Sequence, residues 1–79
     1  MNVPEYITAQ WIDSLTDDTL LAVDQLLHRT FAQIESEEKA RRGSAYDLMR
    51  GPVELTSAWD RWTRVNSAAR ARRLRPLRV

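Results

Sequence analysis

Apolar residues recur along this chain at helical intervals, and nowhere with the strict alternation of a β-strand. Between Asp17 and Arg42, Leu20, Val23, Leu27, Phe31 and Ile34 line one face with Leu26 at its edge, which predicts one long amphipathic helix. Its start is well marked. Thr16 suits the N-cap, Asp17 and Asp18 sit in the positive first turn, and Leu15 is placed to staple onto Leu20. Gly43 supplies the stop. Beyond Ile34 the apolar face is lost, and Glu35, Glu37 and Glu38 are followed four residues on by Lys39, Arg41 and Arg42, so the end of this helix is expected to face solvent.

Ahead of it, Ile7, Trp11 and Leu15 repeat every four residues behind Pro4, predicting a short helix over about 4–14. After Gly43, Ser44 and Asp47 suggest a brief helical turn over about 45–50, closed by Gly51-Pro52. A last helix over about 52–74 carries Leu55, Ala58, Trp62, Val65 and Ala69 on one stripe with Trp59 beside it, and Pro76 follows its end. The expected fold is all-α, a single domain over 1–79. It is an antiparallel hairpin of two long helices braced by the N-terminal one, alone or doubled into a dimeric four-helix bundle. In the preferred packing Leu55 lies near Ile34 and Trp62 near Leu27, with Tyr46 and Met49 covering the gap.

Charge sharpens this picture. Residues 1–40 hold eight acids against two bases, net −6, whereas residues 41–79 hold three acids against ten bases, net +7. Seven arginines and no acid lie from Arg61 onward, and the segment 70–79 reads as a basic tail. Such a dipole suits an acidic partner, and it equally suits internal neutralisation. Arginines near a helix C-terminus also answer its negative end. Arg61, Arg64 and Arg70 are therefore assigned to helix ends and to the aspartates of the second helix. Trp59, Arg61, Arg72, Arg73, Arg75 and Arg78 are the expected partner-binding residues, because tryptophan beside arginine is typical of interface centres.

Candidate chemistry changes little. Without cysteine there is no disulfide or thiolate site, and the lone His28 has no HExxH-type neighbour, so no metal, cofactor or small-molecule substrate is expected. Both glycines sit at helix ends and form no phosphate loop, and no catalytic residue is assigned. Lys39, Tyr46-Asp47 and Arg50, with Arg29 upstream, resemble the all-helical chorismate mutases over 22 of the 79 residues. That resemblance implies a small helical dimer in which arginines and a lysine clamp a dicarboxylate. Gly51 departs from the family's pattern, which has glutamate there, and no basic residue precedes Arg29.

No apolar run approaches the roughly 20 residues of a membrane span, and residues 1–5 lack a signal-peptide character, which points to a cytoplasmic protein. Eleven arginines against one lysine suggest the GC-rich coding of an actinobacterium-like host or its phage. The function expected is non-enzymatic: an accessory or regulatory protein that binds a larger protein, self-associates, or both. Nucleic acid bound by the arginine-rich end is the alternative partner, and a chorismate-mutase-like enzyme a remote one.

Overall fold

The computed structural model describes residues 2–75, and all regular structure within them is helical. Three α-helices, α1 (Ala9–Asp13), α2 (Asp17–Arg42) and α3 (Val53–Ala71), are joined through two 3-10 turns, Gly43–Ala45 and Leu48–Arg50. The bounds of α2 are those its caps dictate. The Thr16 hydroxyl accepts the Thr19 N–H at 3.2 Å. Gly43 closes the helix at φ 56°, ψ −126°, a backbone region that residues with a Cβ avoid.

The other expected boundaries need correction. The first helix begins at Ala9 rather than at Pro4, because the Pro4 carbonyl accepts from the Arg61 guanidinium at 3.0 Å, and the Thr8 side chain caps the Trp11 N–H. In place of one turn over 45–50 there are two 3-10 turns, Gly43–Ala45 and Leu48–Arg50, separated by extended backbone at Tyr46 and Asp47, with Asp47 capping only the second. The last helix starts one residue later than expected and ends at Ala71 rather than near 74. There Arg73 turns left-handed at φ 62°, its N–H reaches the Arg70 carbonyl, and the Leu74 N–H reaches that of Ala69. This is a Schellman closure with arginine at the position usually held by glycine.

Two apolar clusters hold the helices. One joins Ile7 and Ile12 to Leu20, Val23 and Leu27 of α2 and to Val65 and Ala69 of α3; the other joins Phe31 to Leu55 and Ala58. Ile34 packs in the same cluster as Leu55, and Trp62 borders both clusters, the one with Leu27 included, as the sequence predicts. Met49 does not cover the gap: it is exposed, and Leu48 packs there beside Tyr46. Leu20, Val23, Leu55 and Val65 lose all contact with water, and each such burial is worth about 1.5–3 kcal/mol.

Asp24 is fully buried between the helices. It accepts from Asn66 Nδ2 at 3.0 Å and Trp62 Nε1 at 3.4 Å. Phe31, two turns further along α2, meets Trp59 and Trp62 with ring centroids 5.2 and 5.8 Å apart. Among the described helices none is long and apolar enough to cross a membrane.

Candidate functional site

The arginine block divides differently from the sequence-based assignment. Arg72, expected to face a partner, is turned inward: its guanidinium donates to the carbonyls of Ile12 and Leu15 at 3.0 and 2.9 Å and to Asp17 at 3.0 Å. It thereby ties the end of α3 to the α1–α2 junction, adding a second donor to the Ile12 carbonyl, which also accepts the Leu15 N–H at 3.0 Å. Arg61 also turns inward. One terminal nitrogen holds the Pro4 carbonyl, while its Nε is sealed from solvent without an acceptor among the described residues. An unmet buried donor costs about 1–3 kcal/mol, so this arginine pins the N-terminal segment to α3 at some expense.

Neither Arg61 nor Arg64 goes to the aspartates of α2. Arg64 pairs with Asp60 on its own helix at 2.9 Å. Arg70, Arg73 and Arg75 are exposed and make no ion pair or side-chain hydrogen bond among the described residues. Arg78 lies outside the described residues. Trp59 is half-buried against Phe31 and Trp62, and His28 stands edge-on to Trp62 at 4.8 Å.

The distal end of α2 is less solvated than its charge suggests. Glu38 is 3% exposed, because Arg41 and Arg42 both fold over its carboxylate at 2.7 and 2.9 Å. Arg41 thus pairs with Glu38, not with Glu37 four residues earlier. Glu35 accepts the Tyr46 hydroxyl at 2.7 Å and lies 3.6 Å from Lys39, whose ammonium sits 5.3 Å from the Tyr46 ring centre. Burial first, then the bond to Glu35 and the negative charges of Glu35, Asp47 and Glu38, push the Tyr46 hydroxyl up to about 12. Arg50 stays exposed with Asp47 at 3.8 Å, and Arg29 is exposed and makes no ion pair among the described residues. Of the residues that resemble the chorismate mutases, Lys39 and Arg50 are thus each answered by a local carboxylate.

A surface that the sequence pattern does not single out is a groove of about 670 Å³ where the N-terminal segment runs beside α2 and α3. Ala58 and Ile34 supply its apolar lining, and Glu5, Glu54 and Asp60 its carboxylates. Tyr6 and Val53, also on its lining, are 79% and 74% exposed, the fate of few large apolar side chains here. Arg61 helps form the wall by fixing Pro4. Smaller depressions continue along α3 past Arg64 to Ser67, bordered by Ile7 and Ala9. No family profile, curated protein or solved structure matches the chain, so this surface is read from its own chemistry.

Proposed function

We propose that the chain is a small non-enzymatic helical module, an α2–α3 hairpin braced by its N-terminal segment, that acts by binding protein. The observation that carries this reading is the exposure of Tyr6 and Val53 beside one groove with a partly apolar lining. Exposed apolar side chains scattered singly need no explanation, but two gathered at a concave, acid-rimmed site favour a contact surface. Affinity capture with wild-type and Val53→Asp chains as bait tests it: the wild type retains a bound protein, either a second copy or another chain, and the variant releases it. Equal recovery by both baits refutes the reading.

A second reading rests on Arg70, Arg73 and Arg75. These exposed arginines have no carboxylate partner among the described residues, and Arg73 keeps a side chain at a left-handed position where glycine is cheaper. Contact with nucleic-acid phosphates would employ them. It predicts affinity that falls steeply with salt and is lost on Arg73→Ala/Arg75→Ala. Gel-shift titrations showing salt-independent binding, or none, exclude it.

A further inference from the structure

Along α3, Val53, Ser57, Asp60, Arg64, Ser67 and Ala71 are all exposed and follow one another at alternating intervals of four and three residues. Such spacing is the seam of a helix that packs on another helix, yet here it lies opposite the Leu55, Ala58, Val65 and Ala69 face that forms the core. The seam is also self-complementary. Read against itself in the antiparallel direction about position 62, Val53 meets Ala71, Ser57 meets Ser67, and Asp60 meets Arg64, each pair occurring twice.

We propose that a second copy of this chain docks on this face, α3 against α3 antiparallel, across a twofold axis. This rests on the reading of the chain as a protein-binding module, and it names the partner. A twofold contact must offer the same patch from both sides, and a seam that pairs acid with base and small with small under reversal meets that requirement. Small residues at 57, 67 and 71 let the axes approach to about 8 Å, the short end of helix packing. At the centre, Asp60 and Arg64 of each copy, already 2.9 Å apart within one chain, form with their counterparts a ring of alternating charge. Parallel pairing would instead stack Asp60 on Asp60 and Arg64 on Arg64. Val53 at the end of the seam and Tyr6, exposed beside it, are covered as the helices close, and the depressions alongside Arg64 and Ser67 receive the neighbouring side chains.

Sedimentation equilibrium on the full chain tests this through charge exchange. Wild type is dimeric; Asp60→Arg and Arg64→Asp each weaken the dimer at least tenfold, because like charges then face each other. Mixing those two variants restores association, and so does the double exchange Asp60→Arg/Arg64→Asp. Circular dichroism confirms that each variant is folded. The chain has no cysteine, so Ser57→Cys/Ser67→Cys gives a clean second readout: oxidation links two chains covalently. A monomeric wild type, reversal variants that stay dimeric, or a mixture that fails to associate overturns the proposal. A monomeric wild type that still captures another protein in a Val53-dependent way overturns only the twofold contact and leaves the broader reading intact.

Discussion

Replacing Arg72 by alanine removes three hydrogen bonds at once, two of them to carbonyls at the α1–α2 junction. The loss is expected to cost about 1–3 kcal/mol, a fall in melting temperature on the order of 10 °C, read by circular dichroism. If Arg72 served a partner alone, the melt would not move. At the very next residue the expectation reverses: Arg73→Gly relieves a left-handed side chain and raises stability by up to about 1 kcal/mol. At Tyr46 the sign follows from its raised pKa, about 12 against an ordinary 10. The hydroxyl stays protonated in the folded chain after the unfolded chain has released its proton, so its contribution is complete below about pH 10 and is lost as pH climbs towards 12. Near-UV absorbance titration of a Tyr6→Phe chain checks this, with tyrosinate forming only well above pH 10. What was legible at this scale was local: the Thr16 cap, the Gly43 stop and the Asp47 cap act within three or four residues. Arg61, Arg72 and the fate of Arg41 were not legible, because their choice of acceptor depends on segments brought close by folding or on crowding at a helix end.

At the scale of elements, the bounds of α2 are legible in the sequence because the Thr16 cap, the apolar stripe as far as Ile34, the charged i,i+4 spacing beyond it and the Gly43 stop all agree. The first helix was overextended because a four-residue repeat of Ile7, Trp11 and Leu15 persists through backbone that is not helical; Ile7 is buried from an irregular segment, and Ile12 joins it from the helix. The turn before α3 was read as one helix because its polar residues suit a cap, but Tyr46 lies in extended backbone and bonds Glu35. Besides the apolar clusters, the buried carboxylate of Asp24 links α2 to α3 by accepting from two α3 side chains. Asp24→Ala removes the acceptor shared by Trp62 and Asn66 and is expected to destabilise by about 1–3 kcal/mol in urea titration. Wild-type stability in that variant would mean that the carboxylate does not hold the two helices in register.

Across the whole molecule, the opposed charge of the two halves is only partly consumed within the described residues. Arg72 reaches Asp17, Arg41 and Arg42 cover Glu38, and Arg64 turns to Asp60, while Arg70, Arg73 and Arg75 remain unpaired. The sequence-based division misplaced two of these arginines: Arg72, expected to be available, is bound internally, and Arg70, assigned to internal neutralisation, is unpaired among the described residues. The acid-rimmed groove escaped notice because its residues come from the N-terminal segment, α2 and α3, and no spacing along the chain links them. The central claim is that this groove and the adjoining face of α3 form a protein-contact surface. The most direct test is the mass of the species eluted from affinity capture by wild-type and Tyr6→Asp/Val53→Asp chains. The prediction is a mass above that of one chain for the wild type and the mass of a single chain for the variant; the same mass from both would contradict it.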